Sequence, residues 1–207
     1  MSERNFNPSI ELPVMEQFYT IQGEGKHSGR AAYFIRLAGC DVGCVWCDVK
    51  ESWEAGQHPL VPIDKLVQEA VASNCGFVVI TGGEPAMYDL SALTSQLKAE
   101  NIEIAIETSG TYTLHGQIDW YCFSPKKFKA AIDEAYVLAN ELKVVIAHPS
   151  DFSWAEEHAE RVTQDCQLYI QPEWAKQERF LPMAIDFVKE NPKWKISLQT
   201  HKYMNIP

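Results

Sequence analysis

No stretch of this 207-residue chain holds enough consecutive apolar residues to span a bilayer, so a membrane-spanning helix is not expected. Runs of lysine or arginine are missing too, and the formal net charge is −10. That balance argues against a nucleic-acid backbone as partner. The first residues, Met1-Ser2-Glu3-Arg4-Asn5, lack the basic-then-apolar layout of a secretory signal. No internal repeat and no dividing linker is evident, so one domain over 1–207 is expected, with a flexible lead-in over 1–13 that carries Pro8 and Pro13. A second cysteine pair is also absent. Cys75, Cys122 and Cys166 stand alone in or beside apolar runs and are expected to be small buried hydrophobes. Six cysteines so distributed fit the reducing cytosol better than a disulfide scaffold.

The other three cysteines are crowded into Gly39-Cys40-Asp41-Val42-Gly43-Cys44-Val45-Trp46-Cys47-Asp48, with spacing C-x3-C-x2-C. A loop this short lets three sulfurs converge on one small object, and glycines at 39 and 43 allow tight turns. A structural zinc site normally takes four protein ligands, usually as two separated pairs. A disulfide leaves one thiol over and strains so short a loop. An iron–sulfur cluster held by three thiolates keeps one iron open for a small molecule.

Strands are expected over 14–19, 31–37, 77–80, 102–106, 120–123, 142–146, 167–170 and 194–198. Helices are expected from Pro62 onward and over 89–100, 130–140, 154–162 and 175–190. Strands alternating with helices imply right-handed crossovers and a parallel sheet. A closed barrel of this kind usually takes about 250 residues, so a partial, open parallel β/α barrel of about six main strands fits this chain better. A flat doubly wound sheet is the alternative. Nearly every strand ends in a polar or glycine-rich cluster. Parallel strands gather such ends on one rim, so the cysteines, Gly82-Gly83-Glu84, Glu107-Thr108, Ser124, Gln171 and His201 are expected around one mouth.

The cysteine spacing resembles the cluster loop of the radical S-adenosylmethionine (SAM) superfamily. That resemblance implies a [4Fe-4S] cluster on Cys40, Cys44 and Cys47, whose open iron chelates SAM. Gly83 and Glu84 would then receive the methionyl ammonium, Trp46 would lie against the adenine, and Ser124 and Lys126 would meet the polar edge of the nucleotide. Cys47, Asp48, Pro125 and Gln171 complete the implied SAM-binding set.

A longer ordered set is narrower in meaning. Thr20-Ile21-Gln22-Gly23-Glu24-Gly25, Phe34-Ile35-Arg36, the cysteine loop with Asp48, Ile80-Thr81-Gly82-Gly83-Glu84-Pro85, Ile106-Glu107-Thr108-Ser109-Gly110, Ser124-Pro125-Lys126 and Gln199-Thr200-His201-Lys202-Tyr203 resemble the 7-carboxy-7-deazaguanine synthase family. The resemblance implies a carbon–nitrogen lyase acting on 6-carboxy-5,6,7,8-tetrahydropterin in queuosine biosynthesis, and a cytoplasmic homodimer. It also implies a low-potential electron donor such as flavodoxin or ferredoxin. A pterin presents an N–H-rich pyrimidine edge, for which Ile21, Gln22, Gly23 and Glu24 supply acceptors. Its carboxylate wants the donor fork of Arg36. Thr81 offers a hydroxyl, and His201 and the terminal carboxylate of Pro207 join the implied substrate set. Beyond cluster and SAM, no catalytic residue is assigned.

One departure stands out. The family places threonine after Cys-Asp, where its hydroxyl helps to bind Mg2+, and this chain has Val49. Asp48 remains as a hard-cation ligand. Two other readings stay open on sequence: an activase that makes a glycyl radical on a partner protein, and a non-catalytic zinc module.

Overall fold

The computed structural model describes residues 7–207. The chain opens with β1 (Glu11–Ile21), turns back through residues 22–30 and pairs antiparallel with β2 (Ala31–Leu37). A short β3 (Leu60–Pro62) borders the other edge of β1, also antiparallel. Helices and strands then alternate: α1 (Ile63–Ala72), β4 (Phe77–Gly82), α2 (Ser91–Ala99) and β5 (Glu103–Thr108). After β6 (Trp120–Phe123) come α3 (Asp133–Leu138), β7 (Glu141–Ile146), α4 (Asp151–Ala159), β8 (Gln167–Pro172), α5 (Gln177–Glu190), β9 (Trp194–Ile196) and α6 (Thr200–Met204). The sheet order is β3-β1-β2-β4-β5-β6-β7-β8-β9, and every pairing from β2 to β9 is parallel. β3 and β9 are the two edges and do not pair with each other, so the barrel is partial and open.

The hydrophobic pattern accounts for the layers. Phe77, Val78, Val79 and Ile80 are all buried, as a strand covered on both faces must be. In α1 the buried residues are Ile63, Leu66, Val67 and Ala70, one stripe at helical spacing. Asn74 and Asn101 follow α1 and α2 with φ of 53° and 58°, the left-handed conformation that ends a helix and sends the chain into the next strand.

Residues 22–30 run from the end of β1 and bond to segments at the other end of the sheet order. Thr200 N donates to the Gly23 carbonyl at 3.0 Å. Gly25 N donates to Ser197 Oγ at 2.9 Å, and Lys26 N to Glu141 Oε2 at 3.0 Å. The loop over 22–30 is thereby pinned against β7, the end of β9 and α6.

The structure corrects several expectations. Residues 1–6 of the expected lead-in lie outside the described residues, but Glu11–Pro13 belong to β1 and Leu12 is fully buried. The open, mostly parallel sheet is as expected; its nine strands are the eight expected ones and the three-residue β3, and β1 runs antiparallel to β2. The connection between β1 and β2 is too short for a crossover, so the pair is a hairpin. α3 and α4 start at Asp133 and Asp151, displaced by three residues from the expected starts. Among the described residues no helix is long and apolar enough to cross a membrane.

Candidate active site inside the open barrel

The strand ends enclose a cavity of about 910 Å3. Cys40, Cys44, Cys47, Trp46 and Asp48 line it from the loop after β2; Thr81, Gly83 and Glu84 from the end of β4. Ser124, Lys126 and Gln171 line it from the ends of β6 and β8, and Ile21, Gln22, Gly23, Glu24 and Arg36 from the β1–β2 hairpin. His201 and Pro207 close it from the C-terminal segment. Of the residues singled out on sequence, Pro125 alone does not face the cavity; it is buried behind Ser124.

The cysteine loop leaves β2 through Gly39, whose φ of 102° only glycine adopts readily. It is anchored at both ends. Gly39 N donates to the Ser52 carbonyl at 2.6 Å, Cys40 N to Trp53 O at 3.1 Å, and Glu84 N to Gly39 O at 2.8 Å. A Cβ on Gly83 would stand 2.9 Å from that of Cys40 and collide with the Gly39 carbonyl, so glycine is required for this approach. On the outer side Asp41 Oδ2 accepts from Tyr112 Oη at 2.5 Å and Lys129 Nζ at 2.6 Å.

All six cysteines are free, and Cys75, Cys122 and Cys166 are buried as expected. Burial pushes the Cys40 thiol up, and pushes Cys44 up to about 11 against the pull of Lys126. Thiols so placed ionise when a metal centre binds them. Among the described residues no group of three or more His, Cys, Asp or Glu side chains is already drawn together at metal-binding distance, the three loop thiols included. Three free thiols on one pinned loop at a roomy cavity do fit a cluster held at three corners.

Glu84 is 1% exposed, and its carboxylate is already engaged. Oε1 accepts from Ala86 N at 3.1 Å and Thr108 Oγ1 at 2.5 Å; Oε2 accepts from Ser109 N at 2.8 Å and from the Ser109 hydroxyl. It fastens the end of β4 to the end of β5, leaving backbone rather than side chain to face a ligand there. Lys126 Nζ donates to Ser124 O at 2.5 Å and Ser124 Oγ at 2.6 Å, and sits 5.8 Å from the Trp46 ring centre.

Deeper in the barrel Glu24 and Glu107, both singled out on sequence, meet Lys143, which sequence reasoning missed. Lys143 Nζ donates to Glu24 Oε2 at 2.6 Å and Glu107 Oε2 at 2.8 Å. Gln199 Nε2 donates to Glu24 Oε1 at 2.8 Å, and Gln22 Nε2 to Glu107 Oε1 at 3.4 Å. Burial alone would raise the Glu24 carboxyl, but the charge and hydrogen bond of Lys143, with Gln199, bring it down to about 2. Burial holds the His201 imidazole below its usual value against the pull of Glu24. Signals for this cluster were available. A lysine inside the apolar strand Leu142–Ile146 carries the same cost as Arg36 inside its strand.

Arg36 Nε donates to Glu16 Oε1 at 2.7 Å, and among the described residues its terminal nitrogens have no protein partner. Asp48 Oδ2 accepts from Lys202 Nζ at 2.6 Å and Gln199 Nε2 at 3.5 Å, while Val49 beside it offers no side-chain oxygen. Three thiols, a guanidinium with two unpaired terminal nitrogens and a pair of lysine-bound carboxylates all line the cavity.

Comparison with known proteins gives this geometry a context. Residues 34–145 match the model of the radical SAM superfamily. A 7-carboxy-7-deazaguanine synthase of Flavobacterium psychrophilum is 55% identical, over 95% of this chain and 93% of the relative. The Synechocystis sp. protein of that name is 45% identical over 96% and 95%, and that of Escherichia coli K12 is 33% identical over 95% and 100%. A solved structure described as "Crystal structure of QueE from Escherichia coli" superposes with a TM-score of 0.82 at 29% identity, covering 91% of this chain and 93% of the other.

Proposed function

The chain belongs to the 7-carboxy-7-deazaguanine synthase family of radical SAM enzymes, and from that footing we propose that it converts 6-carboxy-5,6,7,8-tetrahydropterin to 7-carboxy-7-deazaguanine with loss of ammonia. When bound, a [4Fe-4S] cluster and SAM supply the radical that takes hydrogen from C6 of the pterin and so starts the ring contraction.

The chain's own residues do the holding. Cys40, Cys44 and Cys47 grip the cluster at three corners. The backbone of Gly83 and Glu84 receives the methionyl end of SAM, and Trp46, Ser124, Lys126 and Gln171 surround its nucleoside. Pro125 acts behind them by shaping the turn that carries Ser124. Arg36 offers its two unpaired terminal nitrogens to the substrate carboxylate as a fork. Gln22, Gly23 and Glu24 meet the N–H edge of the ring, with Thr81, His201 and Pro207 completing the enclosure. A recessed cavity that gathers Gln22, Glu24, Arg36 and Glu107 favours a small polar substrate over the docking of a partner protein that an activase needs.

Magnesium enters this proposal through Asp48 alone. Mg2+ commonly takes one or two carboxylates and completes its shell with water and substrate oxygens. Here the ion competes with Lys202 for the same carboxylate oxygen. The chain is further proposed to act as one domain over 1–207, as a homodimer, with flavodoxin or ferredoxin as electron donor. Six unpaired cysteines support a reducing compartment, the cytoplasm.

The observation that carries this proposal is the meeting of three free thiols, the Arg36 guanidinium and the Glu24 and Glu107 carboxylates around one cavity. Its test is anaerobic reconstitution with iron and sulfide, then incubation with SAM, reductant and the carboxypterin. The deazapurine should form and be detected by mass. Cleavage of SAM to 5′-deoxyadenosine without any deazapurine would point to another radical substrate.

A further inference from the structure

Lys143 lies behind the two carboxylates it binds. Its side chain is 3% exposed, whereas those of Glu24 and Glu107 are 17% and 21% exposed, and all three line the cavity. Each comes from a different element: Glu24 from the β1–β2 loop, Glu107 from β5 and Lys143 from β7. Three ionisable side chains inside a barrel add little stability, since apolar residues of similar volume commonly replace a buried ion pair or triad without loss. Their retention at a cavity wall therefore asks for a ligand.

The geometry describes that ligand. One ammonium faces two carboxylates, so the cluster keeps one excess negative charge. Every carboxylate oxygen already accepts one protein donor, from Lys143, Gln199 or Gln22. A carboxylate has about four lone-pair sites, so each oxygen keeps room for one more donor from the cavity. That is a fixed double acceptor, matched by a ring edge carrying adjacent ring and amino N–H groups. Without the ammonium, two carboxylates this close in a buried site would not both stay ionised, and a protonated one turns from acceptor into donor.

We infer that Lys143 is a positioning residue which holds Glu24 and Glu107 as paired acceptors and thereby makes the site select a 2-amino-4-oxopyrimidine ring over one without the amino group. This rests on the pterin reading proposed above. A site built to hydrogen-bond a donor rejects the analogue lacking it, because its buried acceptors are left unpaired. Lys143 itself need not touch the ring.

The test is calorimetric binding of two probes to the reconstituted protein: 7-carboxy-7-deazaguanine and its analogue without the 2-amino group. The wild type should prefer the amino compound by at least about 30-fold. Lys143→Met should lose at least about tenfold of that preference, and Lys143→Arg should keep it, since a guanidinium also bridges two carboxylates. Glu107→Gln leaves Lys143 paired with Glu24 and should also erode the preference, so it carries the test if Lys143→Met does not fold. An undiminished preference in either Lys143→Met or Glu107→Gln overturns the inference, as does equal weakening of both probes in Lys143→Met. A wild type that binds neither probe overturns the pterin reading, and this inference with it.

Discussion

Replacing Glu84 by alanine separates a structural carboxylate from a ligand-binding one. The carboxylate is buried and accepts four hydrogen bonds, two from backbone N–H groups of Ala86 and Ser109 and two from the hydroxyls of Thr108 and Ser109. The hydroxyls rotate, and Ser109 Oγ already lies 3.0 Å from Thr111 Oγ1, so they find other partners. The two backbone donors do not rotate. Each buried donor left unsatisfied costs about 1–3 kcal/mol, so Glu84→Ala should lose about 4 kcal/mol of stability. For a domain of this size that is a fall in Tm of roughly 8–16 °C. Glu84→Gln must turn its amide nitrogen towards one pair of donors and should lose about 2 kcal/mol, roughly half as much. Urea unfolding of the cluster-free protein measures both without any ligand. If both variants stay within about 0.5 kcal/mol of wild type while SAM affinity falls, the carboxylate serves the ligand and the structural account of Glu84 is wrong.

Other perturbations report on separate parts of the site. Arg36→Lys keeps the charge but loses the donor fork, and kcat/KM for the carboxypterin should fall about 10–100-fold, mostly through KM; an unchanged KM would remove Arg36 from the substrate wall. Lys202→Met removes the charged partner of Asp48, so added Mg2+ should stimulate turnover more in the variant than in wild type; equal responses would mean that lysine and magnesium do not share that oxygen. Buried His158 has its Nδ1 2.8 Å from the Tyr136 hydroxyl and packs 4.3 Å from the Trp154 ring, and burial, helped by Arg161, lowers its pKa to about 4. A histidine lowered in the fold stabilises it above the unfolded pKa, and that contribution is lost as pH falls from about 6.5 towards 4, by up to about 3 kcal/mol. His158→Phe should therefore flatten stability between pH 7 and 4.5 in denaturant titrations; an unchanged slope would show that another group carries it.

What could be read from sequence was whatever is encoded locally. Helical spacing marked α1, the apolar run at 77–80 marked β4, and the cysteine spacing marked the mouth. The direction of β1 was not legible, because its apolar content is the same whether it pairs parallel or antiparallel with β2. β3 and α6, of three and five residues, are too short to show a period. Lys143 was hidden for a different reason. Its partners Glu24 and Glu107 lie 119 and 36 residues away in sequence and meet it only once the barrel has closed around them. Glu84 was legible as a site residue but not in its use, since the donors that occupy it come from β5 and the turn beyond.

The most direct measurement is electron paramagnetic resonance of the reduced, anaerobically reconstituted protein, with iron counted and SAM added. About four irons per chain and a cluster signal that changes on adding SAM are expected, with both lost in Cys44→Ala. A protein that carries zinc in place of iron, or a cluster whose signal ignores SAM, would contradict a cluster held at three corners by Cys40, Cys44 and Cys47.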